Sequence, residues 1–147
     1  MGHLNIIDRA AEVFDRVIVA VAINVSKHGL FSREERVSLL NGLVADRPNV
    51  SVDSFQGLLV DYMDKSGYTT VLRGIRTVSD FESELQMAQA NRLLKENVDT
   101  VFMMTDAHYS HLSSSIIREI ITLGGDTKGM VSPQVEAALK EKLAPKD

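Results

Sequence analysis

Val17-Ile18-Val19-Ala20-Val21-Ala22-Ile23 is an almost unbroken apolar run rich in β-branched residues. Such a run suits a parallel strand buried on both faces, the kind of strand that α/β proteins use. What flanks it fits that reading. Upstream, apolar residues at Leu4, Ile6, Ile7, Ala10, Ala11 and Phe14 form a helical stripe. Downstream, Ser32 with Glu35 three residues on makes a capping box for a helix through about Val44, which Pro48 ends.

The alternation continues to the end of the chain. Val50 to Phe55 alternates as a strand, Gly57 begins a turn, Leu58 to Lys65 suits a helix, and Gly67 stands where a left-handed C-terminal residue is expected. Thr69 to Leu72 is the next strand. Ser79 and Glu82 form a second capping box for a helix to about Lys95, with Phe81, Leu85, Ala88 and Leu93 near one face. Val101 to Met104 reads as the last strand, with Met87, Met103 and Met104 as core fillers. Ser113 to Leu123 is a helix closed by Gly124-Gly125, and Ser132 caps a terminal helix whose first turn holds Pro133. The order helix, strand, helix, strand, helix, strand, helix, strand, helix, helix is a doubly wound α/β pattern.

Composition bounds what this fold can do. With 147 residues, 44% hydrophobic and 24% charged, the chain is expected to form one domain over residues 1–147 with a real core. A net charge of −4 without a basic face or lysine run argues against a general nucleic-acid surface. The absence of cysteine excludes disulfides, thiolate metal sites and a cysteine nucleophile, and fits a reducing compartment. No apolar run approaches the roughly 18 residues of a membrane span, and the amino terminus does not read as a signal peptide. The reading is a cytoplasmic protein without membrane or nucleic-acid partners.

Two stretches carry chemistry. In Leu112-Ser113-Ser114-Ser115-Ile116-Ile117-Arg118 three hydroxyls open an apolar-periodic segment. A helix's first turn offers unpaired N–H groups and a partial positive charge, so serines there can seat a phosphate, or simply cap the helix. Val71-Leu72-Arg73-Gly74-Ile75-Arg76 reads as a short buried strand ending in two arginines around a glycine. Arginine's planar fork suits phosphate oxygens, glycine lets backbone approach a ligand, and open α/β sheets bind ligands at the carboxyl ends of their strands. With Lys27 also after a strand, an anionic-ligand site is expected over two solvated loop arginines. His108 and His111 share the i, i+3 spacing of metal ligands, yet with no third ligand nearby they read as loop histidines.

Taken together, Gly2-His3, Ser26-Lys27, Phe31-Ser32-Arg33-Glu34-Glu35-Arg36, Leu72-Arg73-Gly74-Ile75-Arg76, Asp80-Phe81-Glu82 to Asn91-Arg92 and Leu112 to Arg118 resemble the bacterial phosphopantetheine adenylyltransferases. These belong to the nucleotidyltransferase superfamily marked by an early T/H-x-G-H and a late I-S-S-S-x-x-R/K motif. The resemblance implies a Rossmann-like doubly wound parallel sheet of the nucleotidyltransferase type. It implies transfer of the adenylyl group of ATP to 4′-phosphopantetheine, giving dephospho-coenzyme A and pyrophosphate with Mg²⁺, by direct in-line attack. His3 matches the motif histidine that steadies charge at the α-phosphorus, and with Lys27 it is the expected catalytic pair. Lys27, Leu59 and Arg73 match contacts to phosphopantetheine. His3, Gly74, Ile75, Arg76, Glu84, Tyr109, Ser110, His111, Leu112, Ser113, Ser114 and Ser115 match contacts to ATP. Mg²⁺ would be held mainly by nucleotide phosphates and water, because no acidic cluster makes an all-protein cage. The resemblance further implies a homohexamer subject to feedback by coenzyme A. Read without it, His3 is a terminal histidine, Lys27 a loop lysine and Glu84 one acid of an exposed helix face.

The chain departs from the family's pattern at Met1-Gly2-His3, where members have a first strand and a Gly-Ser/Thr-Phe-Asp-Pro loop leading into the motif histidine. The expectation is a start assigned too late, with that strand and loop preceding Met1. Without them, the strands at Val17–Ile23 and Thr69–Leu72 are expected to show facing unpaired edges, and catalysis to be severely impaired. Two further readings stay open: a shortened, inactive nucleotide- or coenzyme A-binding relative, and a sister nucleotidyltransferase with another phosphorylated acceptor, such as nicotinamide mononucleotide or glycerol phosphate.

Overall fold

A computed structural model describes residues 1–23 and 29–143. Helix α1 (Gly2–Val13) leads into strand β1 (Val17–Ile23), and α2 (Arg33–Val44), β2 (Val50–Gln56), α3 (Leu59–Ser66), β3 (Thr70–Ile75), α4 (Val78–Leu94) and β4 (Asp99–Met104) follow. A 3-10 turn (Ala107–Tyr109), α5 (Ser114–Thr122) and α6 (Pro133–Leu143) complete the described chain. This is the α/β order expected from the hydrophobic periods. The Ser32–Glu35 capping box forms reciprocally, and Gly67 closes α3 at φ 72°.

The strands are parallel and pair as β1 with β2 and β3 with β4. Among the described residues each of the four strands, β1 and β3 included, is therefore paired on one side only. Helix α1 ties the two pairs together. On the β2 side, Asn49 Nδ2 donates to the carbonyls of Ala11 (2.8 Å) and Phe14 (3.1 Å), and Arg47 pairs with Asp8. On the other side, Arg9 donates to the Met104 carbonyl, Asn5 Oδ1 accepts from the Asp106 amide at 3.1 Å, and Ile6 lies against Gly74. The core gathers around Val60, Met63 and Val98 under α3, and around Ile117, Ile121 and Leu139 between α5 and α6.

Several expectations need correction. β1 is not buried on both faces: Val21 is buried, while Ala20 and Ala22 are exposed. A strand paired on one edge and covered partly by helices keeps part of its surface in solvent. β3 extends beyond Leu72 to Ile75, because Phe102, Met103 and Met104 of β4 pair with Arg73, Gly74 and Ile75. Of β3 only Ile75 is buried.

Helix α4 does not start at a Ser79–Glu82 box. Its N-cap is Thr77, whose hydroxyl accepts from the Asp80 amide at 3.1 Å. Once β3 runs to Ile75, the chain turns at Arg76 and Thr77, and Ser79 already lies inside the helix. The less exposed stripe of α4 is Asp80, Glu84, Ala88 and Asn91, whereas Leu93 is 88% exposed. Phe81 packs edge-on against Phe102 with ring centroids 5.4 Å apart. Met87 and Met104 are exposed rather than core fillers.

Candidate active site

Among the described residues, Arg73, Gly74, Arg76 and Ser113 to Ser115 gather where β3 and β4 end. Arg73 and Gly74 lie in the last turn of pleat of β3, Arg76 follows it, and Ser113 to Ser115 open α5 beyond the end of β4. Carboxyl ends of parallel strands, together with a helix N-terminus, concentrate outward N–H groups. The first turn of α1 brings His3 to the same end, since Gly2 approaches Thr105 and Tyr109 closely enough that an added Cβ would lie 3.7 and 3.8 Å from their side chains.

Gly74 has a specific role in this arrangement. Its φ is not positive, so no turn demands glycine there. A Cβ at this position would meet Ile6 Cγ1 at 3.1 Å and Thr105 Oγ1 at 3.7 Å. The missing side chain lets α1, and His3 with it, settle onto the end of β3. The expected close approach at Gly74 is thus made by α1.

Both arginines are held by carboxylates from the inner stripe of α4. Arg73 Nε and Nη2 each donate to Glu84 at 2.6 Å, a bidentate fork that pushes the Arg73 pKa further up. Arg76 Nε donates to Asp80 Oδ2 at 3.0 Å and Nη2 to Oδ1 at 3.3 Å, and its backbone amide reaches Oδ2 at 3.2 Å. The Arg76 guanidinium holds the Asp80 carboxyl below the ordinary carboxylate range. On its other side, Arg76 Nη1 donates to the Leu112 carbonyl at 3.0 Å. Neither arginine is therefore a free loop cation.

The serine turn caps its helix. Ser113 is the N-cap, accepting from the Ile116 amide at 3.2 Å, while Ser114 and Ser115 are exposed. First-turn amides of α5 have no intrahelical acceptor, so an anion can still approach them. Leu112 anchors the turn by packing against the Ile117, Ile121 and Leu139 cluster. Tyr109 ends the 3-10 turn with His108 edge-on to its ring, and Ser110 and His111 continue towards Leu112.

His3 is exposed at its surface, yet partial desolvation, then the N-terminal charge, Arg76 and Arg73, lower its pKa below the ordinary histidine value. A neutral imidazole is thus favoured, able to donate one N–H without carrying charge. Leu59 opens α3 just beyond the carboxyl end of β2, packed against the Val60, Met63 and Val98 cluster. Lys27 lies outside the described residues. Among the described residues no group of three or more His, Asp or Glu side chains forms a metal-binding cluster.

Three members of the arrangement escaped the sequence reading: Thr77, Asp80 as a partner of Arg76, and Asn5. Thr77 and Asp80 carried a usable signal, a Thr with an acid three residues on immediately after a strand. Asn5 carried none, because its partner is the Asp106 amide, far away in sequence.

Comparison with known proteins agrees with this geometry. The cytidylyltransferase-like family model matches residues 1–120. The phosphopantetheine adenylyltransferase of Geobacter sulfurreducens is 49% identical over 99% of this chain and 89% of that protein. Those of Syntrophotalea carbinolica and Clostridium novyi are each 52% identical over 97% of this chain, spanning 86% and 88% of their own lengths. Identity at this level, across a chain whose arginines, serine turn and histidine meet at one end of its strands, places it within the cytidylyltransferase-like family, among the phosphopantetheine adenylyltransferases.

Proposed function

We propose that this chain transfers the adenylyl group of ATP to the phosphate of 4′-phosphopantetheine, giving dephospho-coenzyme A and pyrophosphate. The observation that carries the proposal is the convergence of Arg73, Arg76, the α5 N-terminus and His3 at the carboxyl ends of β3 and β4. In this reaction an acceptor phosphate oxygen forms a bond to the α-phosphorus while the bond to the departing pyrophosphate breaks. Little covalent work falls to the protein, and positioning with charge stabilisation does the rest.

His3, neutral at pH 7, donates an N–H to the α-phosphate oxygens as charge builds. Arg76 and the first-turn amides and hydroxyls of Ser113, Ser114 and Ser115 hold the nucleotide phosphates. Gly74, Ile75 and the segment Tyr109, Ser110, His111 and Leu112 line the nucleotide, and Glu84 contacts it from α4. Arg73, with Leu59 and Lys27, receives phosphopantetheine. Since carboxylate and phosphate present the same spacing of oxygens to a guanidinium fork, the acceptor phosphate competes with Glu84 for Arg73.

Mg²⁺ fits as a companion of the triphosphate rather than as a protein-bound ion, since Asp80 and Glu84 already serve arginines. When bound, it neutralises phosphate charge.

The same reading makes residues 1–147 a single cytoplasmic nucleotidyltransferase domain. No helix among the described residues is long and apolar enough to cross a membrane. A homo-oligomer, a hexamer by family resemblance, is supported by the exposed apolar side chains Val78, Leu85, Met87, Leu93 and Leu94 of α4.

The test is pyrophosphate release from ATP and Mg²⁺ with 4′-phosphopantetheine, nicotinamide mononucleotide and glycerol phosphate as alternative acceptors. Release with 4′-phosphopantetheine alone is expected when the family's first strand and loop are restored ahead of Met1, and much less of it from residues 1–147 by themselves. Release with another acceptor would make the chain a sister enzyme, and ATP or coenzyme A binding without release even with that strand and loop restored would make it a binding protein.

A further inference from the structure

Among the described residues the Asp80 carboxylate accepts three hydrogen bonds, all of them from Arg76. One oxygen accepts from both the main-chain amide and the side-chain Nε of the same arginine, and the other accepts from Nη2. The bend of the chain after β3 and the direction of the guanidinium are thereby set by one carboxylate. The opposite side of the guanidinium is fixed by the Leu112 carbonyl, immediately before the serine turn. Arg76 consequently spans the loops that follow β3 and β4, with three of its five N–H donors used inside the protein and two left for an anion.

An ordinary i, i+4 ion pair on a helix surface leaves both side chains free to wander and adds little. This one differs because its acid also binds backbone and because its base is pinned from a second element. We infer that Asp80 is a positioning residue: it aims Arg76 so that the remaining two donors meet the nucleotide's phosphates in the geometry the serine turn presents. The inference rests on the nucleotide reading of Arg76 above.

A double-mutant cycle on ATP affinity, measured by calorimetry with Mg²⁺ and without acceptor, tests it. Asp80→Asn keeps the shape and one acceptor oxygen but loses the fork, and is expected to weaken ATP about tenfold. Arg76→Ala should weaken it at least as much, and the double variant should match Arg76→Ala within about twofold, because Asp80 acts only through that arginine. Ser132→Ala, which removes the cap of α6, serves as a control of comparable stability loss with unchanged ATP affinity. Equal affinity of Asp80→Asn and wild type, or additive losses in the double variant, would overturn the positioning role. Pyrophosphate release is read separately on the wild type: ATP binding without release in any acceptor counts against adenylyl transfer while leaving the cycle decisive for Asp80, and no ATP binding by the wild type overturns both.

Discussion

Substitution of Gly74 by Ala probes how α1 is seated, and with it the location of His3. The new Cβ would stand 3.1 Å from Ile6 Cγ1, closer than most carbon contacts, and 3.5 Å from Ile6 Cδ1, an ordinary contact, with the φ at this position imposing no strain of its own. Overpacking of this kind costs about 1–3 kcal/mol. Replacing glycine by alanine in an extended conformation returns about 0.4–1 kcal/mol by restricting the unfolded chain. The difference is a net loss of about 1 kcal/mol, or a melting temperature lower by about 3 °C for a domain of this size. In an Ile6→Ala background both close contacts vanish, so the same glycine substitution should stabilise by about 0.5 kcal/mol, a coupling of about 1.5 kcal/mol between the two positions. Urea unfolding of the four proteins measures this. A loss of equal size with and without the Ile6 side chain would refute the argument that Gly74 exists to admit α1.

Other outcomes follow from the same geometry. Thr77→Ala should cost about 1 kcal/mol by loss of the α4 cap, while Ser79→Ala should change stability by less than about 0.5 kcal/mol, both read by thermal unfolding. His3→Ala is expected to lower the turnover number by roughly 10²–10³ with circular dichroism unchanged, the scale of one preorganised donor. Because its folded pKa lies below its unfolded value, His3 favours folding above the ordinary histidine pKa of 6.5, and that contribution fades as pH falls below it. Proton titration of His3 by nuclear magnetic resonance should accordingly give a midpoint below 6.5, and a midpoint above it would contradict the electrostatic account. Glu84→Gln removes the charge that competes for Arg73, so KM for 4′-phosphopantetheine should fall about fivefold, whereas a rise would show that Glu84 orients Arg73 instead. Polar replacement of Met87 together with Leu94, two turns apart on one exposed face of α4, should shift the sedimentation coefficient towards the monomer if this face joins copies of the chain.

The sequence alone determined the order of elements and their type. Helical and alternating hydrophobic periods, the Ser32–Glu35 box, Gly67 and the Ser113 cap are local devices, formed between residues a few positions apart, and they survive in the folded protein unchanged. The gathering of Arg73, Arg76 and the start of α5 at one end of the strands was legible for the same reason, since strand ends and helix starts follow from element order. Tertiary structure decided what these elements do to one another. That β3 outlasts Leu72 depends on its partner β4, and that extension moved the cap of α4 from Ser79 to Thr77. The carboxylates neutralising Arg73 and Arg76 sit on α4 across a strand-to-helix turn, the carbonyl pinning Arg76 comes from Leu112, and the closest neighbour of Gly74 comes from α1. A linear pattern records which side chains share a helix face, but two elements meeting at an angle choose their contacts by shape and charge, and that choice exists only once both are packed.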